Sequence, residues 1–157
     1  MTDLPRENVQ GYPRPPALEP VAQRIAIRHG GVLVADTSRA LRVLETHHAP
    51  SYYLPPEDIL VPLRPVAGSS FCEWKGVARY VDLLAGDVVA ARAGWIYDRP
   101  TPGFAALAGY VAFYAGKVDE AMVGGTRVIP QPGDFYGGWV TPNLDGQIKG
   151  APGTRHW

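Results

Sequence analysis

Glycine and proline interrupt this chain so often that no long helix fits between them. The sequence has 18 Gly and 16 Pro among its 157 residues. Because proline breaks helices and glycine favours turns, this density predicts short strands joined by turns. Hydrophobic residues make up 46% and charged residues 19% of the chain, which is typical of a globular protein. We therefore predict a mainly β, compact antiparallel domain of complex topology, barrel- or sandwich-like, with one or two short helices.

The chain divides into three parts by composition, and its length predicts a single domain over residues 1–157. Residues 1–21 are rich in proline and are expected to form an extended arm. Residues 22–129 form the predicted β core, and residues 130–157 form a Pro/Gly/aromatic tail that is expected to wrap over it. The arm is predicted to lie on the body or on a neighbouring subunit, so a homodimer is one expected assembly.

Charge and cysteine usage exclude several classes of function. Lys+Arg and Asp+Glu both number 15, so the formal net charge is zero and nucleic acid is not a predicted partner. The one cysteine excludes an internal disulfide and a multi-cysteine zinc site. Residues 1–7 have no signal-peptide core, and no apolar run of about 18 residues occurs, so we expect a cytoplasmic protein without a membrane partner. No phosphate-binding loop or dinucleotide fingerprint occurs, and no cofactor is predicted.

Alternating apolar residues and turn residues predict the order of the strands. The predicted hairpins pair residues 25–28 with 32–35, 77–84 with 88–97, and 110–114 with 118–123. The best helix covers residues 101–109, where Thr101 is the predicted cap, Pro102 the first residue and Gly109 the end.

One predicted strand places small residues and aromatic rings on the same face. Strand alternation puts Val89, Ala91, Ala93, Trp95 and Tyr97 together. The small residues leave room beside the two rings. This face is therefore either the wall of a pocket or a surface against which another element packs closely.

The stretch FCEWKG concentrates reactive side chains and permits three interpretations. Lys75 could act as an anion-binding or acid/base ammonium beside Cys72, or Cys72 could itself be the nucleophile. In the third interpretation, Glu73 and Lys75 face solvent and Cys72 is a small core residue. Regular alternation would separate Cys72 from Lys75, and only a bulge or turn at Lys75-Gly76 would bring them together.

Glu45 is the candidate carboxylate. It follows a predicted strand on which Leu41, Val43 and Glu45 share one face, so it lies either at the mouth of a cavity or in water at the end of the strand. The adjacent His47 and His48 would point to opposite sides of a strand, so they do not predict a metal site.

Five segments in order resemble the domain-of-unknown-function family 427. They read VADTSRALRVLET, YYLPPEDI, FCEWKGVARY, AGWIYDRP and GYVAFYAGKVDEAMVGG, and the resemblance covers about residues 22–125. It implies a small, mostly antiparallel β domain with little helix. Some classifications label this family nucleotidyltransferase-like, without an established reaction. Such enzymes present paired carboxylates for Mg²⁺ beside a phosphate grip, and no such pair follows Gly68-Ser69-Ser70.

The resemblance also implies which residues form a site. The family pattern matches Glu45, Tyr53, Pro55, Asp58, Cys72, Lys75, Gly76, Tyr80, Trp95 and Tyr97. It implies that Glu45, Cys72, Lys75, Tyr80 and Trp95 converge on one cleft.

We predict that the protein binds a small polar or anionic ligand in a cleft lined by Glu45, Lys75, Tyr80 and Trp95. One alternative is an enzyme with Lys75 or Cys72 as nucleophile or base and Glu45 as acid/base. Another is a structural or protein-interaction module. The predicted catalytic residues are Lys75, Cys72 and Glu45, and the predicted ligand-binding residues are Tyr53, Asp58, Tyr80, Trp95 and Tyr97.

Overall fold

The computed structural model describes residues 4–132 and 136–151. The strands in these ranges are β1 (Glu7–Asn8), β2 (Ala17–Pro20), β3 (Ile25–His29), β4 (Val32–Thr37), β5 (Leu41–Leu44), β6 (Ser51–Tyr53), β7 (Leu63–Cys72), β8 (Gly76–Ala85), β9 (Val88–Ile96), β10 (Val111–Phe113), β11 (Glu120–Val123), β12 (Thr126–Arg127), β13 (Ile129–Pro130), β14 (Trp139–Val140) and β15 (Leu144–Asp145). The helical segments are 3₁₀ turns at Val9–Gly11, Pro56–Asp58, Pro102–Leu107 and Ala115–Lys117. The predicted mainly β class is confirmed.

Two four-stranded antiparallel sheets form the body, in the orders β10-β9-β8-β7 and β12-β11-β3-β4. A three-stranded sheet, β2-β5-β6, continues the first of them because Leu54 and Val111 exchange two backbone hydrogen bonds of 2.8 Å. The arrangement is sandwich-like, and none of the sheets in the described ranges closes into a barrel. No helix in those ranges is long and apolar enough to cross a membrane.

The predicted hairpin between residues 110–114 and 118–123 is wrong. β10 pairs with β9 in the first sheet, whereas β11 pairs with β3 in the second. The 3₁₀ turn Ala115–Lys117 carries the chain from one sheet to the other. All of Val111–Phe113 is buried, so pairing each strand inside a different sheet covers more apolar surface than an isolated hairpin would.

Two apolar clusters lie against the first sheet. The larger one includes Ile25, Ile27, Leu83 and Phe113 and fills the space between the two main sheets. The second cluster, four of whose residues also line a cavity, contains Val43, Tyr53, Ala78, Trp95, Tyr97, Phe104, Leu107 and Ala112.

The residues from Val89 to Tyr97 that were predicted to share one face of a strand do not all lie on the same side. Arg92 has φ 51°, and the pairing register shifts where its backbone N–H donates 2.9 Å to the carboxylate of Asp82. Val89 and Ala91 are therefore exposed, while Trp95 and Tyr97 are buried. A bulge of this kind changes which residues face inward, because strand alternation restarts after it.

The predicted helix at 101–109 is shorter and tighter than expected. The segment Pro102–Leu107 is 3₁₀, and its geometry is interrupted at Phe104. The hydroxyl of Thr101 makes no cap and instead donates 2.5 Å to the carbonyl of Trp74. Thr101 therefore ties this segment to the turn after β7, because a hydroxyl bonds whichever nearby acceptor is available.

The described parts of the arm and the tail pair with the same chain. β2 is antiparallel to β5, and β1 is parallel to β15. Trp139 is 1% exposed, stacks on Tyr52 at 5.1 Å and donates 2.8 Å from Nε1 to the carbonyl of Phe113. The tail is thereby anchored in the core.

Candidate functional site

A cavity of about 290 Å³ opens beside the second apolar cluster. Its wall is built by the ends of β5, β6 and β9, the turn between β7 and β8, and the tail at residues 136–138. Of the residues predicted for the site, those on this wall are Glu45, Tyr53, Cys72, Lys75, Tyr80, Trp95 and Tyr97. The fold thus brings to one cavity residues that lie up to about fifty positions apart in the sequence.

Asp58 is the predicted site residue that the structure places elsewhere. It ends the 3₁₀ turn Pro56–Asp58 and accepts hydrogen bonds of 3.0 and 3.3 Å from Arg39. Hydrogen bonds from Arg39 and Thr37 hold the pKa of Asp58 below its ordinary value. Asp58 does not line this cavity, and its carboxylate holds the turn to the loop at Arg39.

The turn Glu73-Trp74-Lys75 decides the geometry of the FCEWKG stretch. β7 ends at Cys72, which pairs with Gly76 at the start of β8, and Gly76 has φ 108°. Thr101 holds this turn, since its N–H donates 3.0 Å to the carbonyl of Lys75. Strand alternation does not apply across a turn, so Cys72 and Lys75 face the same cavity.

The floor of the cavity consists of aromatic rings. Trp95 donates 3.3 Å from Nε1 to the hydroxyl oxygen of Tyr53, and the two rings meet edge to face. The ring of Tyr114 packs 4.6 Å from Trp95. Burial raises the pKa of Tyr53 and of Tyr97, and burial together with Tyr80 raises the pKa of Tyr114 to about 12. These hydroxyls therefore remain protonated near neutral pH.

Cations lie over four of the tyrosines that line the cavity. The pairs are Lys75 over Tyr97 at 5.9 Å, Arg92 over Tyr80 at 4.2 Å, Lys117 over Tyr114 at 5.1 Å and Lys149 over Tyr136 at 5.6 Å. The chain contains three lysines, so every lysine is packed on this lining. A cation over a ring face is stabilised by the quadrupole of the ring.

Glu45 lies just after β5, on the cavity wall, with 21% of its side chain exposed. Its carboxylate is 3.3 Å from Arg14 and 3.9 Å from Nε2 of His48. Burial lowers the pKa of His48, so its imidazole is neutral at pH 7. In the described ranges, no group of three His, Cys, Asp or Glu residues could hold a metal ion.

His48 is one of the wall residues that the sequence did not assign to the site. The sequence interpretation treated residues 47 and 48 as strand neighbours, but β5 ends at Leu44 and a turn follows, closed by a 3.0 Å bond from the N–H of His48 to the carbonyl of Glu45. The spacing of three residues across a turn places Glu45 and His48 on the same side. Recognising that the strand ends before Glu45 would have revealed the pair.

A comparison with protein families identifies the family of this chain. A family model described as a domain of unknown function (DUF427) matches residues 17–124, more than half of the chain, and the chain belongs to that family. A search of curated proteins found no match. The resemblance inferred from the sequence is confirmed, and the match begins at β2.

The tail beyond the family match completes the cavity. Gln131 and residues 136–138 belong to its wall, and Lys149 lies over Tyr136. Gly137 lies against the ring of Trp95, and a side chain at Gly138 would overlap the carbonyl of Ala49. The tail contributes polar groups and close backbone contacts that residues 17–124 alone do not supply.

Proposed function

We propose that this protein binds a small anionic ligand with a flat, apolar part in the cavity lined by Glu45, Lys75, Tyr80 and Trp95. The observation that carries the proposal is the distribution of lysine. All three lysines pack on tyrosines of this cavity, and in the described ranges no ion pair includes a lysine. The ion pairs on the rest of the described surface use arginine and histidine.

Lysine without a carboxylate partner suits an anionic ligand. Its ammonium is a compact charge with three donors, which binds phosphate or carboxylate oxygens from several directions. Glu45 and Glu73 are the acidic residues of the wall, and Glu45 is already paired with Arg14. The four cations that lie over tyrosines of the wall, together with Arg14, outnumber these two carboxylates, so an anion is attracted more strongly than a cation.

The volume and the floor support a small, flat ligand. The cavity of about 290 Å³ lies at the low end of ligand pockets, which measure about 300–1,000 Å³. The rings of Trp95 and Tyr97 offer a surface on which an aromatic ring or the apolar face of a sugar packs. Sugar phosphates, nucleoside monophosphates and aromatic carboxylic acids each have an anionic group and a flat, apolar face.

An enzyme that uses Cys72 or Lys75 as a nucleophile, with Glu45 as acid/base, is a second candidate function. The observation that favours it is the turn after β7, which points both side chains into one cavity with Glu45. Once a ligand is known, its turnover is measured in Cys72→Ser and Lys75→Ala. Turnover that is unchanged in both variants would rule this candidate out.

The binding proposal is tested by thermal shift of the full chain against sugar phosphates, nucleoside monophosphates and aromatic carboxylic acids. A ligand at 100 times its Kd stabilises the folded state by about 2.7 kcal/mol, which raises Tm by several degrees in a domain of this size. Lys75→Ala should lose this shift. Arg6→Ala, which removes one positive charge from an exposed pair with Asp145, should keep it. A shift that survives in Lys75→Ala, or none in the wild type, contradicts the proposal.

A further inference from the structure

The amide of Gln131 is buried and fully bonded. Gln131 is only 2% exposed to solvent. Its Oε1 accepts a 3.2 Å bond from the N–H of Ala49, and its Nε2 donates 2.9 Å to the carbonyl of Lys149. A backbone N–H needs an acceptor and a carbonyl needs a donor, so these two bonds determine which end of the amide is oxygen.

This orientation determines where the proton of His48 lies. Nδ1 of His48 is 3.3 Å from Nε2 of Gln131. The amide has two hydrogens, one directed to the carbonyl of Lys149 and the other to Nδ1, so Nδ1 must accept and carry no proton. A neutral imidazole then carries its proton on Nε2, which faces the carboxylate of Glu45 at 3.9 Å.

We propose that Gln131 is a positioning residue that holds His48 as the Nε2–H tautomer. The cavity wall then offers a ligand one hydrogen-bond donor, at His48, and one acceptor, at Glu45. This inference rests on the proposed function where it concerns the ligand. The separation of 3.9 Å is longer than a hydrogen bond, so both groups have capacity to bond a ligand. A ligand group that both donates and accepts, such as a hydroxyl or a carboxamide, matches this wall.

The surrounding charges agree with a neutral His48. Burial is the largest cause of its lowered pKa, and the cations Lys149, Lys75 and Arg14 lower it further, while Glu45 raises it. The ring of Tyr136 covers another side at 5.2 Å. Because Nε2 already carries a proton, Glu45 is the proton acceptor of this pair if the site performs acid/base chemistry.

The wild-type protein tests the tautomer directly. Long-range ¹H–¹⁵N correlation spectra of the ¹⁵N-labelled full chain at pH 7 distinguish protonated from unprotonated ring nitrogens, and the signals of His48 are assigned by their loss in His48→Phe. We expect Nε2 of His48 to have the shift of a protonated nitrogen and Nδ1 that of an unprotonated one. The opposite pattern, or an average of both tautomers, overturns the proposal.

Gln131→Glu tests whether Gln131 is the cause. The carboxylate has no hydrogen to donate, so Nδ1 of His48 should become protonated and the pKa of His48 should rise by more than about one unit. Gln23→Glu adds the same charge outside this cavity wall and should leave the spectrum unchanged. An Nε2–H pattern that persists in a folded Gln131→Glu protein rejects Gln131 as the positioning residue.

Gln131→Met provides the test if Gln131→Glu does not fold. It removes the donor without adding charge, so both tautomers of His48 should then be populated. None of these spectra requires a ligand. Failure of the ligand screen and failure of the tautomer assignment are therefore separate results.

Discussion

Gly137 lies against the six-membered ring of the Trp95 indole, so closely that a β carbon at position 137 would overlap the ring. Trp95 belongs to the family-matched part of the chain, and Gly137 belongs to the tail beyond it. The indole is buried on one side by the aromatic floor and on another by the backbone of the tail. The shape of the cavity therefore depends on a contact between two segments that are distant in sequence.

Gly137→Ala should displace either the tail or the indole. Overpacking a close contact costs about 1–3 kcal/mol of unfolding free energy, which urea denaturation measures. A thermal-shift ligand should also bind more weakly, because the floor of the cavity moves. Gly125→Ala is the matched control, since a β carbon there meets open space. Equal stability of the two variants would show that the contact is not tight.

Gly76→Ala should disturb the turn that presents Lys75. Gly76 has φ 108°, which a residue with a β carbon adopts only at a cost of about 1–3 kcal/mol. We expect lower stability in urea and weaker binding of any Lys75-dependent ligand. Gly103→Ala, where a β carbon has open space and φ is not positive, should be close to neutral. A Gly76→Ala protein with wild-type stability and binding would contradict this account of the turn.

Trp139→Phe should loosen the tail from the core. The substitution removes the Nε1–H bond to the buried carbonyl of Phe113, and an unsatisfied buried acceptor costs about 1–3 kcal/mol. Chemical denaturation measures the loss, and hydrogen exchange should increase in β13 and β14, which pair with each other. Trp74→Phe, in the half-buried turn, is the control and should cost less. Equal costs would show that the bond to Phe113 contributes little.

Asp82→Asn should reduce stability at neutral pH more than at low pH. The backbone N–H of Arg92 and the side chain of Arg64 hold the pKa of Asp82 below its ordinary value of about 3.9. Its stabilising contribution is therefore complete above about pH 4 and is lost as the pH falls through the folded-state pKa. Urea midpoints of both proteins at pH 7 and pH 3 measure this.

The difference between wild type and Asp82→Asn should shrink at pH 3, because this pH is below the ordinary carboxyl pKa of about 3.9 and the unfolded wild-type chain then takes up a proton at Asp82. Asp87→Asn, at an exposed position in the turn after β8, should show no such change. A difference that is the same at both pH values would mean that the charge of Asp82 does not stabilise the fold.

Local patterns predicted one hairpin in each of the two main sheets. Gly30-Gly31 joins β3 to β4, and Gly86-Asp87 joins β8 to β9, as the alternation and turn residues indicated. These elements are hairpins, whose partners are close in sequence and whose turns have recognisable residues. The separation of β10 from β11 was not predictable this way, since it depends on which sheet offers each strand a partner.

Part of the cavity wall was predictable from the family pattern. The family pattern pointed to Glu45, Cys72, Lys75 and Trp95, and the cavity wall includes all four. Asp58 matched the pattern too, but its carboxylate binds Arg39. A sequence pattern marks a residue type that the fold requires, and it does not distinguish a ligand contact from an ion pair that holds a turn.

The sequence by itself determined the mainly β class, two of the three predicted hairpins, the family and a short set of reactive residues, because strand alternation, turn residues and the order of motifs are local properties of the chain. Only the tertiary structure decided that Cys72 and Lys75 share a cavity, that His48 joins Glu45, and that Gln131 and Gly137 complete the wall. These contacts join segments far apart in sequence. They form because burial of the aromatic rings brings those segments together. The free energy of this burial depends on contacts across the whole fold and cannot be read from any one segment.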